Sequence, residues 1–230
     1  MTRQIVLDTE TTGLDPAQGH RVIEIGALEI LNRRITGATF HQYLNPERDI
    51  DAGALAVHGL SREFLADKPR FADVSAEFLD FVRDAELVIH NAPFDIGFLN
   101  AELATLKDGP MKRYCAVLDT LKLAKQLHPG QKNNLDALCR RYFVDNTGRS
   151  YHGALLDAQL LAEVYLAMTR GQETLGIDIA PPTTKAGEVK RLQPGLPRSL
   201  KVLRADAEEL ALHGAYLESL AKEGGGSLSW

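Results

Sequence analysis

Apolar and polar positions alternate from the start of the chain. Across Gln4–Thr9, Ile5 and Leu7 fall on one face and Val6, Asp8 and Glu10 on the other, the period-two mark of a strand. Val22–Leu31 (VIEIGALEIL) and Ile35–Leu44 read as second and third strands, and the short connections suit an antiparallel meander. The period then lengthens. Val74, Phe78, Phe81 and Val82 recur at helical spacing within Asp73–Arg83. Glu86–His90 (ELVIH) reads as a short buried strand, and Pro93–Leu106 as a helix with proline in its first turn and Asn91 or Ala92 as cap. Further helices are expected over Thr120–Leu127, with Asp119 as N-cap, over Asn134–Tyr142 and over Gly153–Met168. Three strands followed by alternating helix and strand predict an α/β domain with a mixed sheet flanked by helices.

The pattern stops near Arg170. Gly171–Ser199 carries Pro181, Pro182, Pro194 and Pro197 with several glycines and few large apolar residues, as a flexible linker does. It resumes briefly where Asp206 and Glu209 make a capping box ahead of Leu210, Leu217 and Leu220, and Gly224–Gly226 ends the helix. A lone helix of this length is marginal in water. It is expected to fold against a partner or to pack back on its own domain. The expected division is a domain over residues 1–171, a linker over 172–199 and a tail over 200–230.

Composition narrows the class. The 230 residues are 44% hydrophobic and 25% charged, which argues against wholesale disorder and against a disulfide scaffold. No apolar run approaches the ~20 residues of a membrane span. Residues 1–4 lead straight into the first strand, so no signal peptide and a cytoplasmic location are expected. Cys115 and Cys139 have no zinc or CxxC spacing and are expected to be buried thiols. Net charge is −5, and residues 1–171 hold 19 basic against 23 acidic side chains. Such a chain cannot grip nucleic acid by phosphate neutralisation alone. A nucleic-acid substrate would need metal ions or a tethered partner to deliver it.

Candidate chemistry lies in three places. Asp8 and Glu10, two apart in Asp8-Thr9-Glu10-Thr11-Thr12-Gly13, put two carboxylates on one strand face. Their repulsion is relieved by a divalent cation, or by a strand end that emerges into solvent. Asp95 lies in the first turn of a helix, where an acidic side chain also serves the helix dipole. Asp157 falls in the apolar stripe formed by Ala154, Leu161, Val164 and Met168, where a carboxylate should be protonated, paired or metal-bound. His152 is expected in the loop entering that helix, within reach of the same site.

Four carboxylates and one histidine in this order resemble the DEDDh 3′→5′ exonucleases over residues 1–171, which implies an RNase H-like fold. The segments RQIVLDTETTG, VIHNAPFDIGF and HGALLDAQLLAEVYLAM resemble the proofreading subunits of bacterial replicative DNA polymerases. The resemblance implies that Asp8, Glu10, Asp95 and Asp157 hold two Mg²⁺ or Mn²⁺ ions and that His152 is the general base. Two such ions clamp the attacking and leaving oxygens of an in-line displacement, and histidine can accept a proton near neutral pH. Asp8, Glu10 and Asp157 would also meet the substrate, as would Gly53 and His58 in a family loop near the 3′-terminal nucleotide, although glycine is not the family's usual residue at 53. Backbone groups around Thr11–Gly13 are placed to meet the same nucleotide. His90 would act from behind the ligands or simply end a buried strand. The tail resembles the segment by which such subunits bind the polymerase (alpha) subunit, which implies contacts from Leu210, Leu217, Leu220 and Trp230. Gln172 and Leu175, in Gln172–Ile177, resemble a weak sliding-clamp motif, and ordinary linker fits equally well. A small accessory subunit on the nuclease domain is a further expected partner. A free-standing RNA exonuclease and a non-catalytic structural subunit are the alternatives.

Overall fold

The structure, a computed structural model, describes residues 2–147, 151–170 and 205–224, the last six of these as backbone only. The chain divides into two compact units, Met1–Ile177 and Asp178–Trp230.

The first unit is built on a five-stranded sheet. Its strands are β1 (Arg3–Thr11), β2 (Val22–Leu31), β3 (Arg34–Tyr43), β4 (Glu86–Ile89) and β5 (Ala116–Asp119), in the order β3-β2-β1-β4-β5. β1 sits at the centre, antiparallel to β2 and parallel to β4, so the sheet is mixed. The helices of this unit are α1 (Ala52–His58), α2 (Arg62–Leu65), α3 (Phe71–Val82), α4 (Ala92–Thr105), α5 (Thr120–Leu127), α6 (Leu135–Tyr142) and α7 (Ala154–Met168).

Strand alternation gives each sheet face its own core. Ile5, Leu7, Ile25 and Leu87 pack with Phe78 and Val82 of α3 and Phe98, Leu99 and Leu103 of α4. Val6, Leu28, Ile30 and Val88 pack with Ala124 of α5, Leu138 and Cys139 of α6, and Leu161 and Val164 of α7. Cys115 and Cys139 are buried free thiols, and burial pushes Cys115 up to about 11, which leaves it inert as a nucleophile. No helix among the described residues is long and apolar enough to cross a membrane.

One buried ion pair ties α4 to the sheet. Glu102, 2% exposed, accepts from Arg21 Nε at 2.7 Å and Nη2 at 2.6 Å, and from the Val22 backbone N–H at 3.2 Å. Glu102→Ala removes the acceptor of the partly exposed Arg21 guanidinium and of the buried Val22 amide at the start of β2. It should cost about 2–3 kcal/mol, read as a drop in the denaturant midpoint; an unchanged midpoint would show that the pair does not hold α4.

The main elements fall where the alternation predicts them. Three were not foreseen. β5 is an exposed four-residue edge, and α2 spans only Arg62–Leu65. The segment around Gly53 and His58, expected as a loop and turn, is α1, closed by Gly59 in the left-handed region at φ +71°.

In the second unit, α8 (Ala207–Gly224) begins with the expected capping box. Asp206 Oδ1 accepts from the Glu209 N–H at 2.9 Å, and Glu209 Oε2 accepts from the Asp206 N–H at 3.0 Å. Leu210, Leu212 and Tyr216 are exposed and Leu217 is half-buried. The linker over 172–199, Gln172, Leu175, the Leu220 side chain and Trp230 lie outside the described residues.

Candidate active site and metal centre

The C-terminal half of β1 carries Asp8, half-buried, and Glu10, 9% exposed. Both are anchored by the ladder to β2, Asp8 opposite Gly26 and Glu10 opposite Glu24, and the register breaks just after Glu10. β4 ends beside β1, and Asn91, left-handed at φ 65°, turns the chain into α4. Its first turn aims Asp95 back at β1. Asp95 Oδ1 accepts from the Thr9 backbone N–H at 3.1 Å and from Thr9 Oγ1 at 2.7 Å. Burial pushes the Asp95 carboxyl up to about 7, against the opposing pull of the Thr9 hydrogen bonds.

α7 supplies the fourth carboxylate. Asp157 lies in its first turn and is 4% exposed. His152 stands in the loop before it, and its Nδ1 is 3.1 Å from Asp157 Oδ2. A proton on Nδ1 is donated to Asp157 Oδ2 and leaves the lone pair on Nε2. Close packing brings α7 in: a Cβ on Gly26 would stand 2.1 Å from the Leu155 backbone nitrogen.

Asp8, Glu10, Asp95, Asp157, His90 and His152 thus line one cleft of about 210 Å³, with Thr9, Phe94 and Leu135. Ligand atoms from Glu10, His152 and Asp157 lie within 4.8 Å of one another, a group able to hold a metal ion. Hard carboxylate oxygens gathered in this way suit a divalent cation. His90 Nδ1 bonds Thr120 Oγ1 at 3.0 Å, and burial lowers its pKa, so it is a neutral wall rather than a charge.

A second, more apolar cavity of about 410 Å³ adjoins the cleft and shares Thr9, Glu10 and Phe94 with it. One wall is the end of β1 and the following loop, through Thr11, Gly13 and Leu14. The other is α1, through Asp51, Gly53, Ala54, Val57 and His58. The walls are joined where the Asp51 N–H donates to the Thr12 carbonyl at 2.9 Å. Gly53 and His58 therefore sit together, as does Thr11–Gly13. His58 is 4% exposed, its Nδ1 accepts from the Leu60 N–H at 3.0 Å, and burial lowers its pKa. That leaves the ring proton on Nε2, a buried atom with a Thr11 backbone group near enough to offset part of the effect of burial. Asp119, expected as a cap, accepts from the Leu121 and Lys122 N–H groups at 3.0 and 3.3 Å.

Sequence reasoning missed Thr9, Phe94, Leu14 and Val57. Thr9 was readable as the residue between two carboxylates. The other three are apolar side chains whose place on a cavity wall is set by distant packing.

The exonuclease family (RNase_T) matches residues 5–165. The chain is 53% identical to DNA polymerase III subunit epsilon of Salmonella typhimurium over 237 residues, covering 99% of this chain and 97% of that one. It is 50% identical to the Escherichia coli K12 subunit of the same name over 236 residues, with 99% and 97% covered. Among solved structures it is similar to Exonuclease X in complex with 5′ overhanging duplex DNA, with a TM-score of 0.58 and 26% identity over 72% of this chain and 90% of that one. E. coli Exonuclease I with a dT13 oligonucleotide shares the fold, at a TM-score of 0.65 and 17% identity over 75% of this chain and 42% of that one. A mixed sheet with acidic residues gathered at its central strand, and kinship along nearly the whole length, place the chain in the exonuclease family, among the DNA polymerase III epsilon subunits.

Proposed function

We propose that the chain is a 3′→5′ DNA exonuclease that removes mispaired terminal nucleotides as a subunit of the replicative polymerase. The observation that carries this reading is the junction of an acidic, metal-competent cleft with an apolar cavity of nucleotide size, the two sharing Glu10. Asp8, Glu10, Asp95 and Asp157 would hold two Mg²⁺ or Mn²⁺ ions. Bound there, divalent ions supply charge stabilisation at the phosphate and acidify water.

The chain's own residues do the rest. Leu14, Val57 and Phe94 enclose the terminal base, and the His58 Nε2–H donates to the nucleotide. His152 Nε2 accepts a proton as water attacks phosphorus, and Asp157 steadies the imidazolium through Nδ1. The bond from phosphorus to the 3′ oxygen breaks, releasing a 5′-mononucleotide and a shortened 3′-hydroxyl end.

The acidic net charge fits an editing role. A nuclease with little grip of its own leaves paired ends alone, because unpairing costs least at a mismatch. Leu210, Leu217, Leu220 and Trp230 of the tail would bind the polymerase subunit and raise the effective concentration of the cleft at the primer end. Leu210, Leu212 and Tyr216, exposed on α8, support this. Gln172 and Leu175 would touch the sliding clamp, a small accessory subunit would cover part of the nuclease domain, and the location would be cytoplasmic.

The test is manganese-dependent release of 5′-mononucleotides from a 3′-mismatched DNA primer, a matched primer and a short RNA, with and without the polymerase subunit. The mismatched primer should be cut fastest and the polymerase subunit should accelerate it. Preference for RNA, or identical rates with and without the polymerase subunit, would overturn the reading.

A further inference from the structure

We propose that Tyr151 is a positioning residue for His152: its ring, laid over Gly59 at the end of α1, fixes the loop that carries the imidazole and couples it to the nucleotide cavity. The inference rests on the reading above, in which His152 takes the proton.

Tyr151 is 60% exposed and the His152 side chain 46%, so apolar burial does not hold the loop in place. Besides the imidazole–Asp157 contact, two features among the described residues tie it to the α1 turn. The His152 backbone N–H donates to the Val57 carbonyl at 3.1 Å. The Tyr151 ring lies where a Cβ on Gly59 would meet its Cδ1 at 3.2 Å and its Cε1 at 3.3 Å. Gly59 has a left-handed φ and closes α1 through its own N–H on the Leu55 carbonyl at 2.8 Å. A side chain there would be strained by the backbone and would also push the tyrosine away.

The same helix walls the nucleotide cavity through Gly53, Ala54, Val57 and His58. Val57 does both jobs, lining the cavity and offering its carbonyl to His152. No residue of α1 belongs to either hydrophobic core. A nucleotide that presses on Val57 therefore moves the support of the imidazole directly. Because misplacement of a reacting group by about 1 Å can cost on the order of 100-fold, the tyrosine governs turnover more than affinity.

Tyr151→Ala in the full chain should lower kcat about 10- to 100-fold with KM within about threefold. Its melting temperature should stay within about 2 °C, since the residue is exposed. Tyr151→Phe, which keeps the ring, should restore turnover. Hydrogen–deuterium exchange supplies a readout independent of catalysis. The His152 amide should exchange faster in Tyr151→Ala, and in the unaltered chain it should slow when a nucleoside 5′-monophosphate is added. An unchanged kcat in Tyr151→Ala, or an amide indifferent to both the substitution and the nucleotide, overturns the inference. An unaltered chain that releases no nucleotide overturns the functional reading instead, and the exchange experiment still decides the loop contact.

Discussion

Asp95→Asn should cut nuclease turnover about 1000-fold and at the same time make the metal-free chain more stable at pH 8. The loss follows from the proposed reading, in which Asp95 is one of the anionic metal ligands: metal-borne charge stabilisation is worth several kcal/mol, and about 4 kcal/mol is a factor of roughly 1000. The gain follows from burial. Asp95 is 3% exposed, and its carboxyl is pushed up to about 7 despite two hydrogen bonds from Thr9. In the unfolded chain an aspartate titrates near ~4. Between these values the folded chain holds a proton that the unfolded chain has released. The contribution to stability is therefore full below pH ~4 and is lost as the pH rises through about 7. Asparagine cannot ionise, and its amide oxygen still accepts both Thr9 donors. The variant should thus lose this pH slope and exceed the unaltered chain by roughly 2–4 kcal/mol at pH 8, with the two converging near pH 4. Calorimetric scans from pH 4 to 8 in chelator check this, and Mn²⁺ should stabilise the unaltered chain more than the variant. A variant less stable than the parent at pH 8 without metal would mean that the carboxylate is not under strain.

Gly26→Ala should disable the same cleft from the far side of the sheet pair. Gly26 faces Asp8 across the β1–β2 ladder, and the first turn of α7 rests on its bare backbone. An added Cβ would stand 2.1 Å from the Leu155 nitrogen and 2.2 Å from the Ala154 carbonyl carbon. Both are backbone atoms, so no side-chain rotation relieves the clash, and the helix must lift. Overpacking of this kind costs about 1–3 kcal/mol, occasionally more. Asp157 rides on the turn that lifts and His152 on the loop before it, so both would leave their register with Asp8 and Glu10. Turnover should fall at least about 100-fold even where the variant remains folded by circular dichroism. A folded Gly26→Ala protein with full activity would show that α7 does not need this close approach.

The three-strand meander, the mixed character of the sheet and the placement of the long helices were legible because each of these strands and helices carries its own period. VIEIGALEIL reads as a strand to the residue, and Asp157 stands out in an otherwise apolar stripe. β5 was illegible because its four residues lie at an exposed edge, where alternation has no buried face to report. α1, AGALAVH, escaped for a related reason: only His58 is buried, so no amphipathic stripe marks it. The acidic residues of the site were readable from type and spacing. Their support was not. The hold of Thr9 on Asp95 spans 86 residues, and Tyr151 on Gly59 or Phe94 between two cavities are products of tertiary packing that no local pattern encodes.

The small helix that walls the apolar cavity stands outside both cores, whereas the acidic residues sit on the innermost strand and the helices packed against it. On the proposed reading the acidic cleft and the apolar cavity stand on different parts of the fold, joined where Glu10 lines both and the Val57 carbonyl holds the His152 amide. On that reading, changes at positions 53 and 54 would alter which chain ends are trimmed while leaving the acidic cleft in place. The supports of the acidic cleft have no such latitude, because β1, α4 and α7, which carry its carboxylates, are built into the two cores.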